Sequence, residues 1–166
     1  MEENRSTLPL QDVNSSSARY YDRNAASYSA NNQNPADFID EFLGYLQKGN
    51  VILDLGCGPD VNAEYMRSRN FQVIAIDLSE KMIEYARSRH PDIEFRLGDM
   101  TKLPFPEGSF DGILALYSLI HLTKDMIPSV LSKLYEILRP GGIIYLSVQY
   151  GNSTQGLFSH PTIPSD

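Results

Sequence analysis

The chain has 166 residues, of which 42% are hydrophobic and 21% are charged, a composition typical of a globular protein. Its net charge is -7, and its 14 basic residues form no run. Nucleic acid is therefore disfavoured as the main partner, because binding to phosphates needs clustered Lys and Arg. At this length we expect one domain that buries roughly two thirds of its unfolded surface.

The sequence predicts neither secretion nor membrane insertion. The first 34 residues are polar and lack the apolar stretch of a signal peptide. The longest apolar run, residues 113–122, contains Ser118 and His121 and is too short to span a bilayer. Cys57 is the only cysteine, so no internal disulfide can form. We expect a cytoplasmic protein without membrane contact, and we predict no metal site.

The amino-terminal part of the chain divides into a tail and two helices. Residues 1–18 are rich in Ser, Asn and charge, which predicts a loose or disordered tail. Residues 20–28 place tyrosines around small residues and predict a short helix packed on the body of the protein. Pro35 then begins a helix over residues 36–48, whose apolar side chains recur at helical spacing.

A short strand and a glycine turn follow. Val51–Leu55 is apolar except for Asp54, and Gly56 and Gly58 come directly after it. Glycines allow a tight turn and close approach of another group, and a helix after the turn directs free N–H groups into the same crevice. This arrangement begins a nucleotide-binding α/β unit. A dinucleotide fingerprint is one alternative, but it needs a small residue where this chain has Val61.

An acid ends the second predicted strand, residues 71–76. This acid, Asp77, lies 19 residues after Gly58, close to the roughly 20-residue spacing of a carboxylate that binds a ribose. A carboxylate can accept hydrogen bonds from both ribose hydroxyls. Asp77 could instead cap the next helix, but Ser79 is available for that role. We therefore predict that Asp77 binds a ribose.

The remaining elements alternate between strands and helices. This alternation predicts an α/β fold with a doubly wound parallel sheet in three layers, strand order 3-2-1-4-5, and a crevice between strands 1 and 4. Pro128 is tolerated only in the first turn of a helix, so the last helix is expected to begin near Met126. The further strands are predicted at residues 93–97, 110–116 and 143–148, and the helices at 62–69, 80–89 and 124–138.

Four segments between Tyr20 and Val148 resemble, in order, motifs of the class I S-adenosylmethionine (SAM) dependent methyltransferases. These are the Tyr-Asp-x-x-Ala-x-x-Tyr segment that ends at Tyr28, the acid-x-Gly-x-Gly pattern from Asp54, the Gly98-Asp99 pair, and Leu103-Pro104-Phe105 leading to Ser109-Phe110-Asp111. The chain departs from the family at Asp60, where a third glycine is usual. The resemblance implies a Rossmann-like fold, SAM as cofactor and S-adenosylhomocysteine as product.

The resemblance also implies roles for individual residues. Tyr28 would belong to a helical lid, Asp77 would bind the ribose, Met82 and Asp99 would contact the adenine, and the end of the fourth strand would hold the methionine part. Tyr28 and Met82 are equally suited to the core, and Asp99 to a turn. The implied cofactor-binding residues are Tyr28, Asp54, Gly56, Cys57, Gly58, Asp77, Leu78, Met82, Gly98, Asp99, Met100, Leu116, Tyr117 and Ser118.

His121 is the candidate catalytic residue. It follows the fourth strand, next to the loop that faces the substrate in the resembling family. A neutral imidazole near pH 7 is suited to act as a general base. The alternative is a structural histidine buried with its hydrogen bonds satisfied.

The predicted activity is transfer of the sulfonium methyl group to an O, N, S or C nucleophile of a small molecule (EC 2.1.1). We divide the chain into a tail (1–18), a SAM-binding domain (19–149) with an amino-terminal lid (19–48), and a second tail (150–166). The family usually adds two strands after the fifth, and residues beyond 148 predict none. One alternative is therefore a SAM-binding module that is inactive alone, and a dinucleotide-dependent oxidoreductase is a more distant one. The fifth strand is apolar on both faces, which favours a homodimer through it.

Overall fold

The computed structural model describes residues 10–148, with side chains from residue 16 onward. Five parallel strands form one sheet in the order β3-β2-β1-β4-β5, as the sequence predicts. The strands are β1 (Val51–Leu55), β2 (Gln72–Asp77), β3 (Glu94–Leu97), β4 (Phe110–Leu116) and β5 (Leu138–Ser147). The direction of the order reverses between β1 and β4, which opens a crevice at the carboxyl ends of these strands.

Helices cover both faces of the sheet because successive strand residues point to opposite sides. Ile52 and Leu114 face the side covered by α2, α3 and α4, whereas Leu53 and Ile113 face α5. All four side chains are fully buried, which explains why the strands are apolar on both faces. The helices are α1 (Leu10–Asn31), α2 (Ile39–Gly44), α3 (Val61–Ser68), α4 (Glu80–Arg89) and α5 (Ile127–Ile137).

Two predictions for the amino-terminal region are corrected. The predicted loose tail is wrong from Leu10 onward, because α1 begins there and continues through the tyrosine segment to Asn31. The helix predicted over residues 36–48 is shorter in the structure, where α2 spans only Ile39–Gly44. Phe42 and Leu43 are nevertheless buried, as the apolar stripe predicts. The predicted segments 1–9 and 149–166 lie outside the described residues.

The segment around residues 138–142 is also corrected. The sequence predicts a helix end and a later strand there, but α5 ends at Ile137 and the chain enters β5 directly at Leu138. The side chain of Arg139 fixes this start of the strand, because its Nη1 lies 2.6 Å from Oδ2 of Asp111. The same carboxylate oxygen accepts a hydrogen bond from the Val51 backbone N–H at 2.8 Å. Asp111 therefore ties the starts of β1, β4 and β5 together.

The predicted start of α5 is confirmed. Met126 is its N-cap, and Pro128 lies in its first turn. A proline is tolerated there because the first N–H groups of a helix have no intrahelical acceptor.

Neither membrane-spanning helices nor clusters of metal ligands occur within residues 10–148. None of the helices there is long and apolar enough to cross a bilayer. In the same part of the chain, no group of three or more His, Cys, Asp or Glu side chains is placed to hold a metal ion.

Substitution of Phe42 tests whether the short helix α2 forms part of the hydrophobic core. Its side chain is fully buried, whereas Tyr45, one turn further, is 65% exposed. We expect Phe42→Ala to lower the free energy of unfolding by about 3–5 kcal/mol, because it removes buried apolar area and leaves a cavity. Tyr45→Ala, the matched control, should change it by less than about 0.5 kcal/mol. Urea unfolding measures both, and equal effects would contradict the packing described.

Candidate functional site

One cavity opens at the carboxyl ends of β1, β2 and β4, at the switch point of the sheet. Side chains and backbone from all three strand ends line it, α4 and the loop after β3 close one side, and α1 lies across the top. Its lining residues are Ser17, Ala18, Tyr21, Tyr28, Leu55, Gly56, Gly58, Ile76, Asp77, Leu78, Ser79, Met82, Gly98, Asp99, Met100, Leu116, Tyr117, Ser118, His121 and Leu122.

The two glycines after β1 serve different purposes. Gly56 has φ +75°, and a Cβ there would lie 2.4 Å from Cβ of Ser118, so glycine allows the turn to pack against the end of β4. Gly58 has φ +58°, and its N–H donates to Oδ2 of Asp77 at 2.8 Å. The turn is thus held against both neighbouring strands.

Asp77 is fixed at the centre of the site. Its Oδ2 accepts the hydrogen bond from Gly58, and its Oδ1 accepts one from the Ser79 N–H at 2.8 Å. Burial raises its pKa, and the hydrogen bonds from the Ser79, Gly58 and Leu78 backbone oppose that rise. Ser79 caps α4, as the sequence predicts, because its Oγ accepts from the Met82 N–H. Asp77 is thereby free of the capping role and faces the cavity.

Asp54 lies behind this turn, buried from solvent with 1% of its surface exposed. Among the described residues, its Oδ2 has no hydrogen-bond partner. Burial, and next the negative charge of Asp77, raise the pKa of Asp54 from 3.8 to about 7. A buried carboxylate without a partner is costly, so it favours a ligand that brings positive charge to this side of the cavity.

The charged groups in and around the cavity favour some classes of ligand over others. Asp77 and Asp99 line it, Asp54 lies behind it, and the described lining contains neither Lys nor Arg. Burial lowers the pKa of His121, so this side chain adds no positive charge at pH 7. The arrangement suits a cationic ligand.

The loop after β3 forms the side of the cavity next to Met82. Gly98 is required there, because a Cβ would lie 2.9 Å from Cγ2 of Ile76. Oδ1 of Asp99 accepts hydrogen bonds from the N–H and Oγ1 of Thr101, each at 2.8 Å. Asp99 therefore fulfils the turn role that the sequence left open, and it also lines the cavity. Met82 is 1% exposed, as a core residue would be, and it also contributes to the lining. Its contact with the adenine stays a prediction.

Helix α1 forms the roof of the cavity. Oδ1 of Asp22 accepts hydrogen bonds from Oγ of Ser79 at 2.6 Å and from the Lys81 N–H at 3.1 Å, which anchors α1 on the first turn of α4. A carboxylate is favourable at this helix end. Tyr28 packs above the glycine turn, with its Cε1 3.8 Å from the position of a Cβ on Gly58. Tyr28 thus lies over the cavity, and its role in a lid stays a prediction.

Two aromatic groups meet at the opposite end of the roof. The hydroxyl of Tyr21 lies 3.1 Å from Nε2 of His121, and the two rings are in edge contact with centroids 5.4 Å apart. Nearby, Tyr117 has φ +51° and is 54% exposed at the cavity rim. A residue other than glycine is uncommon in this left-handed region, and such residues often lie at functional sites.

The structure gathers all the predicted site residues around this cavity except two. Asp54 lies behind the lining, and the side chain of Cys57 packs in the core below α3, where burial raises the pKa of its thiol well above the usual value. Asp60, the departure from the family pattern, has φ +138° and points away from the cavity to an ion pair with Arg89. Seven further residues line the cavity but were not predicted from the sequence as site residues: Ser17, Ala18, Tyr21, Leu55, Ile76, Ser79 and Leu122.

Known proteins share both the sequence pattern and the fold around this site. The family model described as a methyltransferase domain matches residues 52–142, just over half of the chain. The chain belongs to the methyltransferase-domain family. Within this family it is 32% identical over 142 residues to a malonyl-[acyl-carrier protein] O-methyltransferase from Serratia marcescens, an alignment that covers 84% of this chain and 55% of that relative. It is also 30% identical to a demethylmenaquinone methyltransferase from Paenarthrobacter aurescens, over 70% of this chain and 42% of the relative.

A solved methyltransferase structure has the same fold. An S-adenosylmethionine-dependent methyltransferase from Mesorhizobium loti superposes with a TM-score of 0.61 at 28% identity, covering 69% of this chain and 55% of that one. The predicted Rossmann-like methyltransferase fold is therefore confirmed. The chain spans about half the length of the curated relatives it matches.

Asp54 makes the stability of this methyltransferase domain depend on pH. Its pKa is about 7 in the folded chain against an ordinary value of 3.8, so the folded state binds more protons in between, and stability falls as pH rises from about 4 to about 7. Each pKa unit corresponds to about 1.4 kcal/mol. Relative to Asp54→Asn, the wild type should therefore lose up to ~4 kcal/mol over this range.

Urea unfolding between about pH 4 and pH 8 measures this difference. Asp92→Asn is the matched control, because the Asp92 side chain is 58% exposed and should leave the pH dependence of the wild type unchanged. Parallel pH profiles for Asp54→Asn and the wild type would contradict the burial of an ionisable carboxylate at this position.

Proposed function

We propose that this chain is a SAM-dependent methyltransferase (EC 2.1.1) that acts on a small-molecule acceptor. The observation that carries the proposal is the cavity at the strand ends, where carboxylates converge and the described lining has no basic side chain. SAM has a sulfonium cation, an ammonium group and a ribose, which suit these carboxylates. When bound, SAM supplies an electrophilic methyl group, and the protein's task is to position the acceptor and exclude water.

The proposed roles follow the positions of the residues around the cavity. Asp77 accepts hydrogen bonds from the ribose hydroxyls, since two carboxylate oxygens offer more lone pairs than the two backbone N–H groups use. Met82 and the loop from Gly98 to Met100 contact the adenine. Residues 116–118 and the glycine turn hold the methionine part, and the charge of Asp54 favours its ammonium group.

Helix α1 is the proposed lid. Tyr21 and Tyr28 of α1 line the cavity, so the helix lies between the site and solvent on that side. We propose that α1 moves aside when SAM enters and closes over the bound cofactor, which would shield the reaction from water. The contacts of Asp22 with α4 are the polar anchor that this movement would break and restore.

The acceptor is proposed only as a small molecule, with His121 as general base where the acceptor arrives protonated. The relatives' names concern a malonyl-[acyl-carrier protein] and a demethylmenaquinone, and they differ in chemistry. The comparisons give no support to the alternative of an inactive binding module. Val61, at the position where a dinucleotide fingerprint needs a small residue, disfavours a dinucleotide oxidoreductase. We propose a cytoplasmic location, with which a sequence that contains a single cysteine is compatible.

Asp77 provides the direct test of the cofactor assignment. Asp77→Ala removes charge-assisted hydrogen bonds of about 1.5–3 kcal/mol each, so we expect calorimetric titration to show SAM affinity lowered at least about tenfold. Asp92→Ala removes a carboxylate outside the cavity and should bind SAM like the wild type. Unchanged affinity in Asp77→Ala would refute the ribose role. Binding of NAD in preference to SAM would refute the proposed function.

We further propose self-association through β5, which forms one edge of the sheet among the described residues. Ile143, Ile144 and Tyr145 are only partly buried, and Leu146 is 39% exposed. An apolar edge strand exposes unpaired backbone groups that can pair with a second copy.

Light scattering at high protein concentration tests this association. We expect a dimer for the wild type and a monomer for Leu146→Lys, because a charge on the edge opposes pairing. Leu97→Lys is the matched control: Leu97 is 52% exposed on β3, the opposite edge of the sheet, and its change should leave the dimer intact. A wild type that stays monomeric would overturn this proposal and would not affect the SAM assignment.

A further inference from the structure

The pair formed by Tyr21 and His121 joins α1 to the short 3-10 turn after β4. Their polar atoms are 3.1 Å apart, and both residues line the cavity. Tyr21 is also wedged between other rings, with edge contacts to Tyr20 and Tyr28 as well as to His121. This packing holds the hydroxyl of Tyr21 on the imidazole, so the hydrogen bond exists only when α1 covers the cavity.

Both partners are neutral at pH 7. Burial, the neighbouring Tyr28 and the negative charge of Asp77 raise the pKa of Tyr21, so its phenol keeps its proton. Burial lowers the pKa of His121, and Tyr21 on α1 is the titratable group in ring contact with it. A neutral imidazole has one nitrogen that accepts a hydrogen bond, and a phenol has one proton to donate. The pair can therefore be a phenol that donates to Nε2 of His121.

We propose that Tyr21 and His121 form a proton-accepting pair in which the Tyr21 oxygen contacts the methyl acceptor and Nε2 of His121 takes the proton. The inference rests on the proposed function and deepens it, because it names the class of acceptor. A proton-accepting pair is useful only for an acceptor that must lose a proton. We take hydroxyl compounds, an alcohol or a phenol, as that class, because their O–H can donate a strong hydrogen bond to the Tyr21 oxygen, whereas S–H and C–H groups are weak donors. A carboxylate arrives without that proton, and the described lining offers no Lys or Arg to receive its charge.

The proton and electron balance closes without a further reactant. As the acceptor oxygen forms a bond to the methyl carbon, the carbon–sulfur bond breaks and its electron pair stays on sulfur. The acceptor's proton passes to the Tyr21 oxygen, and the original Tyr21 proton passes to Nε2 of His121. Tyr21 ends as the neutral phenol, and His121 ends as an imidazolium that releases its proton to solvent.

The first test locates the proton between Tyr21 and His121 by NMR, and it can be done without a methyl acceptor. In protein labelled with 15N-histidine, neutral His121 should show a protonated Nδ1 and an unprotonated Nε2, with His121→Gln used to assign its signals. Tyr21→Phe removes the donor to the neutral imidazole, so the pKa of His121 should rise and the Nε2–H form should increase. Tyr20→Phe removes a hydroxyl on the same helix that is not bonded to His121, and it should change neither value. A wild type with a protonated Nε2 would overturn the proposal, because the hydrogen bond would then run the wrong way.

Turnover provides the second test, measured as S-adenosylhomocysteine formed from a panel of alcohols, phenols and carboxylic acids. With an alcohol or a phenol, Tyr21→Phe and His121→Ala should each lower kcat about 100-fold or more and leave SAM affinity in calorimetry unchanged. The double variant should lose no more than either single one, because the two residues act as a unit. In the wild type, kcat should fall as pH drops below the pKa of His121.

Two results would count against the pair in this second test. One is turnover of carboxylates in preference to hydroxyl compounds, and the other is full activity of Tyr21→Phe. The proposed function would fail separately, by absence of SAM binding to the wild type. A protein that binds SAM but lacks the expected tautomer of His121 would therefore refute the pair alone.

Discussion

A buried carboxylate, Asp54, and a partly buried one, Asp77, lie on neighbouring parallel strands and are the basis of the proposed ligand preference. Asp54 lies near the end of β1 and Asp77 ends β2, and each is held where burial raises its pKa. Because β1 and β2 are parallel, their carboxyl ends lie at the same edge of the sheet. Gly56, directly after β1, has no Cβ and can therefore pack closely against Ser118 at the end of β4. Burial and mutual repulsion make it unfavourable for both carboxyl groups to be ionised, and a bound cation would relieve this cost because the described lining has no basic side chain. The proposed preference for a cation thus rests on the placement of these carboxylates and on the composition of the described lining.

Helix α1 connects this electrostatic site to the proposed chemistry. Asp22 anchors the helix on α4 beside Asp77, and Tyr21 meets His121 at the far end. The same closure that would keep water from the bound cofactor also assembles the proton-accepting pair. A lid of this kind favours reaction only when both the donor and the acceptor are enclosed.

Much of the fold was predictable because the strands are short, apolar and regularly separated by helices. The sheet order and the positions of Asp77 and Ser79 followed from spacing alone. The length of α1 did not, because the sequence before Tyr20 has no apolar periodicity that would predict a helix. The start of β5 at Leu138 depends on the distant pair of Arg139 with Asp111.

Parts of the site depend on contacts that no local pattern contains. Tyr21 and His121 are 100 residues apart in the chain, so their hydrogen bond is a product of tertiary packing. Cys57 lies between two cavity-lining glycines, yet the turn directs its side chain into the core. Asp60 replaces a usual glycine because an ion pair with Arg89 holds its carboxylate away from the cavity, although its φ of +138° is unusual for an acid.

The alignments cover about half the length of the curated relatives, and those relatives are named for different methyl acceptors. The central claim is that the strand ends form a site for a cationic adenosyl compound. A crystal structure of the protein soaked with SAM tests it most directly. The account predicts density between the ends of β1, β2 and β4, with the ribose hydroxyls on Asp77 and the positive groups on the side of Asp54. An empty cavity at saturating SAM, or SAM bound elsewhere on the protein, would contradict it.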